Sequence, residues 1–215
     1  MKLFSYFADI FSLYFFSEKG FKNLKKISWI YSGAVYLIFS LIILTAIDIV
    51  NYSANFSDAY LIMFMLIIGF LINLASLAMV VLAYGWAYLI YKFLGGKADI
   101  KEHLKIEFST TTPIVFINFT IIFLSLLAGL LLLGSISETL ENLLLLGTSM
   151  FFIFLFSIWF IIVNIIYLAK IHQISYGRST GAFFLTFLSI FIIGFILGIL
   201  LLLVGLLIVG LTLLF

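Results

Sequence analysis

Five long apolar runs separated by short polar connections dominate the chain, at about 29–50, 60–94, 113–134, 143–169 and 181–215. A helix rises ~1.5 Å per residue, so about 20 apolar residues cross a hydrocarbon core of ~30 Å, and each run is long enough. The second and fifth hold about 35 residues, roughly 52 Å of continuous helix, more than tilt absorbs, so they are expected to project, break or re-enter. Tyr84, Trp86, Tyr88 and Tyr91 gather before Lys92 like an interfacial aromatic belt, placing the end of the second crossing near Tyr84. In the fifth run Gly194, Gly198, Gly205 and Gly210 offer bends or close contacts, leaving room for a sixth short span. Ahead of the first run, polar Lys2, Ser5, Asp9 and Ser12 recur at helical spacing among Phe4, Phe7, Phe11 and Phe15. This pattern predicts an amphipathic helix, lying in the membrane interface or packed on the protein's own face.

Composition agrees with lipid as the solvent: 66% of residues are hydrophobic and 9% charged, with a mean hydropathy of +1.36. A soluble domain is about 45–50% apolar and about 25% charged. The expectation is an all-α polytopic transmembrane bundle of five spans, with a segment 1–27 at the interface and a membrane domain over 28–215. A net charge of +2 gives no reason to expect nucleic acid, and the absence of cysteine removes disulfide and thiol chemistry.

The placement of charge sets the orientation. Lys19, Lys22, Lys25 and Lys26 precede the first run; Lys97, Lys101 and Lys105 follow the second; Lys170 and Arg178 follow the fourth. The opposite connections carry Asp48, Asp58, Glu138 and Glu141 and no basic residue. Basic segments stay on the cytoplasmic side, so the N-terminus is expected inside and the C-terminus outside. The outer loop holds two glycosylation sequons, at Asn51 and Asn55.

No ionisable residue falls near the middle of a run, which argues against an ion or proton path. Neutral Asn73, Asn118 and Asn164, with Trp159, are the expected intramembrane polar contacts, through hydrogen bonds between helices or along a path for an uncharged substrate. His103 and His172 fall on the basic side, where Asp99, Glu102 or Glu107 could complete a metal site, but no metalloprotease helix, nucleophile elbow or phosphate-binding glycine loop is present. No catalytic residue, metal or cofactor is expected, and no enzyme.

The basic connection FLGGKADIKEHLKIEFSTTTP carries the richest local signals. Gly95 or Gly96 ends the second helix in the left-handed conformation, and Asp99 with Glu102 resembles a capping box. The short helix so started sets Ile100, Leu104 and Phe108 beside Lys97, Lys101 and Lys105, suited to anionic headgroups. Pro113 is expected in the first turn of the next helix. Gly95, Gly96, Lys97, Lys101, Lys105, Pro113, His172 and Arg178 form the candidate surface for lipid or a partner. Gly194-Phe-Ile-Leu-Gly198 is a GxxxG face for internal packing or a homo-oligomer.

In this order, three stretches resemble the Yip family of Ypt/Rab-GTPase-interacting membrane proteins. FFSEKGFKNLKK resembles its Pro-x-x-x-Phe entry, with Ser17 at the proline position. LGGKADIKEHLKIEFSTTTP is similar to its glycine pair, polar helix and aromatic-Ser-x-x-x-Pro, with Phe108 as the aromatic. IWFIIVNIIYLAKIHQISYGRSTGA resembles its Trp-centred fourth span and His-x-Ile-Ser turn, with Asn164 in place of a small residue. The resemblance covers nearly the whole chain and implies five spans in a minimal prokaryotic-type member. It implies a plasma-membrane location in a prokaryote, endoplasmic reticulum or Golgi in a eukaryote, and, among eukaryotic members, small-GTPase binding through a longer N-terminal region. The expected function is a non-enzymatic membrane organiser or adaptor acting through its cytoplasmic face, with a transporter or channel for a small neutral or lipidic substrate as the alternative.

Overall fold

In a computed structural model of the protein, the backbone is described over 3–55, 59–132 and 138–212, and the side chains over 3–49, 52, 59–124, 147–200 and 202–205. The outer acidic groups Asp58, Glu138 and Glu141 and the sequon asparagines Asn51 and Asn55 lie outside the described side chains. The described residues form helices and no strand: α1 (Leu3–Leu13), α2 (Glu18–Lys25), α3 (Trp29–Asn55), α4 (Ala59–Phe93), α5 (Ile100–Leu132), α6 (Glu138–His172) and α7 (Tyr176–Thr212). Helices α3 to α7 are the five long and apolar enough to cross a membrane. Their outward faces carry Phe64, Phe70, Phe154, Phe187, Phe195 and many aliphatic side chains in the open, a surface suited to hydrocarbon rather than water.

Two features differ from the expectation. α4 is one helix of 35 residues over nearly the bounds read for the second run, but α7 is also one helix, of 37 residues, with no break or re-entry among the described residues, so the sixth short span has no counterpart over Tyr176–Thr212. The third run does not begin at Pro113. The short polar helix and the apolar run are one 33-residue helix, α5, with Pro113 inside it. Proline removes the amide that would bond the Ser109 carbonyl, a local loss that tertiary packing offsets here. Around it Ser109, Thr110, Thr112 and Ile114 are buried, α5 packs against α3 and α6, and the Tyr14 hydroxyl donates to the Thr110 carbonyl at 2.8 Å. Burial pushes the Tyr14 phenol up from its ordinary value, so it remains a neutral donor.

α1 lies on the bundle. Tyr6, Ile10 and Leu13 recur at three- and four-residue spacing and are fully buried, while Phe4 and Phe15 stay exposed. Tyr6 meets Tyr31 edge-on at 5.2 Å and Phe7 meets Phe39 at 5.0 Å. α2 is capped by Ser17, whose hydroxyl accepts from the Gly20 amide at 3.2 Å. A β-carbon at Gly20 would strike Ser12 and come within 2.9 Å of the Asp9 carbonyl, so glycine lets α2 lie against α1.

Candidate functional site

The basic end of the bundle is assembled by helix termini. α4 stops in a Schellman turn: Gly95 is left-handed (φ +90°), its amide bonds the Lys92 carbonyl at 3.0 Å, and the Gly96 amide bonds the Tyr91 carbonyl at 2.8 Å. Asp99 then starts α5, accepting from the Glu102 amide at 2.7 Å. Between these caps the Lys97 amide donates to the His172 carbonyl at 2.9 Å, which ties the α4–α5 connection to the end of α6. A β-carbon at Gly96 would collide with His172 Nδ1 and lie 2.7 Å from the Tyr91 carbonyl, so only glycine lets the histidine ring approach this closely.

Beneath that connection sits a buried polar cluster that the sequence reading did not expect. His103 and His172 are fully buried, and His103 Nδ1 lies 2.9 Å from His172 Nε2. One nitrogen must carry the proton and the other the lone pair, so at least one ring is neutral. Tyr91 stacks on His172 at 4.9 Å, and Tyr88 approaches His103 edge-on at 5.7 Å. Glu107, one turn beyond His103, is 5% exposed. Its Oε1 stands 3.6 Å from His103 Nε2, beyond a hydrogen bond, while Oε2 accepts from Asn164 Nδ2 at 2.8 Å. Asn164 Nδ2 also lies 3.1 Å from Thr110 Oγ1, which donates to the Ile106 carbonyl at 2.9 Å. His103 Nε2, His172 Nδ1 and Asn164 Oδ1 are buried with no hydrogen-bond partner.

Buried ionisable groups therefore exist outside the apolar runs, where none was expected. A helix continuous from Asp99 carries His103 and Glu107 into the contact with α6, although both belong to a segment read as interfacial. The cluster does not form a metal centre among the described residues, because no three ligating side chains converge. The facing histidine nitrogens already bond one another, and Glu107 stands on the opposite edge of His103. Holding α4, α5 and α6 together is what this geometry does.

Like Asn164, Asn73 finds a carboxylate rather than another amide. Asn73 Nδ2 donates to Asp48 Oδ2 at 2.7 Å, so Asp48 is engaged by the bundle. Asn118 Oδ1 is buried without a partner, and Trp159 Nε1 donates to the Tyr14 carbonyl at 3.1 Å. No atom lies within 4 Å of a β-carbon built at Gly194 or Gly198, so neither packs against another described span.

The cations form the outer layer. Lys97, Lys101, Lys170 and Arg178 are exposed, and Lys105 is half-buried. Lys105 Nζ donates to the Lys25 carbonyl at 3.1 Å and Lys92 Nζ to the Lys97 carbonyl at 3.4 Å. Lys170 lies over Tyr167 at 5.2 Å, and Lys25 over Phe21 at 5.0 Å. Among the described residues no Lys or Arg lies within 4.0 Å of a carboxylate. Gly95, Gly96, Lys97, His172 and Arg178 are thus brought to one place, Lys105 reaches toward α2, and Pro113 lies deeper in α5, apart from them. Missing from the sequence reading was Glu107 with Asn164. The available signal was the i, i+4, i+7 spacing of His103, Glu107 and Thr110 on a helix capped by Asp99. Compared with known family models, curated proteins and solved structures, the chain matches none.

Proposed function

We propose that this protein is a non-enzymatic multi-pass membrane organiser or adaptor whose lysine-bearing face lies in the cytoplasm and engages anionic lipid headgroups or a protein partner, with the C-terminus outside. The observation that carries the reading is the outer layer of cations on capped helix ends, none paired with a carboxylate among the described residues. Each Lys or Arg near an anionic membrane surface contributes about 1 kcal/mol of attraction. Two carboxylates of the same segment are engaged elsewhere: Glu107 is buried among its own partners, and Asp99 caps α5. The likeness to the Yip family supports a membrane-organising role. Small-GTPase binding is not part of the proposal, because the N-terminal apolar positions Tyr6, Ile10 and Leu13 are taken up by the bundle. Transport of a small neutral substrate is the less supported reading, since two of the three intramembrane asparagines, Asn73 and Asn164, are engaged by Asp48 and Glu107.

The test is retention of phosphatidylglycerol against phosphatidylcholine by the purified full chain, read by native mass spectrometry. The chain should retain the anionic lipid preferentially, and the preference should fall when Lys97, Lys101, Lys105 and Lys170 are changed together to Gln. Equal retention of the two lipids by the unaltered protein would overturn the reading.

A further inference from the structure

A groove apart from the buried cluster opens where α1, α2 and the start of α3 meet. It has a volume of about 590 Å³ and is lined by Asp9, Asn23, Lys26, Ser28 and Tyr31 over Ile27. Its two charged groups do not neutralise each other: Asp9 and Lys26 share the groove, yet no ion pair within 4.0 Å joins them. Asp9 Oδ1 accepts from Asn23 Nδ2 at 3.0 Å, which anchors the carboxylate between α1 and α2. Among the described residues Oδ2 has no donor, and the Lys26 ammonium has neither a carboxylate nor a carbonyl acceptor.

A ligand with one charge would meet repulsion from one side of such a groove, whereas a ligand with both satisfies the two. The groove therefore favours a zwitterion with its anionic and cationic ends close together. A primary ammonium has three N–H groups to give a carboxylate; a quaternary one has none. The surroundings point to a lipid rather than to the free headgroup. Beside Tyr31, α3 presents Ile30, Ala34, Ile38 and Ile42 to the outside at four-residue spacing. This apolar stripe starts at Ile30, next in sequence to the groove's Tyr31, and continues along a helix able to cross the membrane.

We propose that this groove is a binding site for a phosphatidylethanolamine-type lipid, with the phosphate on Lys26, the primary ammonium on Asp9 and the acyl chains along the Ile30–Ile42 stripe. The inference rests on the reading that the lysine-bearing end meets lipid headgroups, and it adds one selective site to that general attraction.

The experiment titrates the full chain in detergent with phosphatidylethanolamine and phosphatidylcholine of identical acyl chains, with the first bound lipid followed by native mass spectrometry. Phosphatidylethanolamine should bind about tenfold tighter, the ratio expected for one hydrogen bond between charged groups. Asp9→Asn should abolish that ratio, and Lys26→Gln should weaken both lipids. Ser17→Ala, which removes the α2 cap outside the groove and leaves both charges, should keep the ratio, so that loss of local packing is told apart from loss of charge. Equal affinity for the two lipids, or a ratio unchanged in Asp9→Asn, overturns the proposal. Displacement of the lipid by soluble phosphoethanolamine at equal concentration also overturns it, in favour of a free-headgroup site. Loss of the phosphatidylglycerol preference belongs to the outer lysines, so the general reading and this site fail separately.

Discussion

Replacing Asn164 by leucine tests the buried cluster most directly. Leucine has the same branched skeleton of four side-chain heavy atoms as asparagine and is the bulkier of the two, so no cavity opens, and the main loss is the 2.8 Å hydrogen bond to Glu107 Oε2. Among the described residues no other side chain donates to that carboxyl, since His103 Nε2 is 3.6 Å away. Hydrogen bonds inside membrane bundles average about 0.6 kcal/mol and seldom exceed about 1.7. A bond to a charged group is worth about 1.5–3 kcal/mol, and breaking it leaves a buried carboxylate unsupported. With Glu107 and Asn164 both at 5% exposure or less, Asn164→Leu should lower stability by about 1.5–3 kcal/mol if the carboxyl is ionised. Neutral glutamic acid would bring the loss down to the bundle average. Reversible unfolding in mixed micelles provides the assay, and a cycle with Glu107→Gln isolates the pair. In the Glu107→Gln background the asparagine should matter less, because a neutral acceptor needs less support. An Asn164→Leu protein as stable as the parent would refute the claim that this amide holds the carboxyl in place.

Gly95→Ala should destabilise by about 1–2 kcal/mol in the same assay, because its cost is the left-handed backbone alone, with only Arg178 Nη1 at 3.8 Å from the new carbon. Gly96→Ala should in addition displace the His172 ring, visible as changed chemical shifts of both histidines; an undisturbed His172 would contradict the packing described. Burial raises the Tyr14 phenol above its ordinary 10.0, so stability it contributes is fully present below that pH and lost as pH rises past it. The alkaline fall in Tm should be shallower in Tyr14→Phe, and an identical slope would show that Tyr14 ionises as freely folded as unfolded. Single cysteines at Lys101 and Ser175 should resist an impermeant label in intact cells while one at Ser137 reacts; the reverse pattern would invert the topology.

The five apolar helices were legible because a bilayer demands about 20 apolar residues in a row, a requirement few other folds impose. The Gly95–Gly96 turn and the Asp99 cap were legible for a different reason: their chemistry is local, set by a positive φ and by one side chain three residues from its amide. α5 was misread where two local rules conflicted. Pro113 has a first-turn preference, and the charged residues before it resemble an interfacial segment, yet packing against α3 and α6 carries the helix straight through. Glu107 shows why the core of the site stayed hidden. Its partner Asn164 is 57 positions away, and the spacing that sets Glu107 on one face with His103 and Thr110 does not say that this face turns inward. For α1 the phenylalanine spacing did not mark the covered face: Phe4 and Phe15 are exposed, and it is Tyr6, Ile10 and Leu13 that the protein itself covers.

Three helix ends, of α1, α4 and α6, close in the same way, and two of them do so without glycine. Phe16 and Gln173 take φ values of +54° and +53°, and the amide after each reaches back to Ser12 and Ala169, as Gly96 reaches Tyr91. A left-handed non-glycine residue costs about 1–2 kcal/mol, so it persists only where packing fixes it. Phe16 has such support: its ring lies 5.4 Å from Trp159, whose indole donates to the neighbouring Tyr14 carbonyl. The Lys97 amide supplies a tether on the His172 carbonyl, the residue just before Gln173. Strain held by tertiary contacts describes a rigid cap, and rigidity decides what the lysines above it can do. Cations alone attract any anionic surface, whereas a cation that shares a groove with a carboxylate, as Lys26 does with Asp9, can distinguish one headgroup from another. Selectivity between phosphatidylethanolamine and phosphatidylcholine is therefore the property that separates an organised site from general electrostatic attraction.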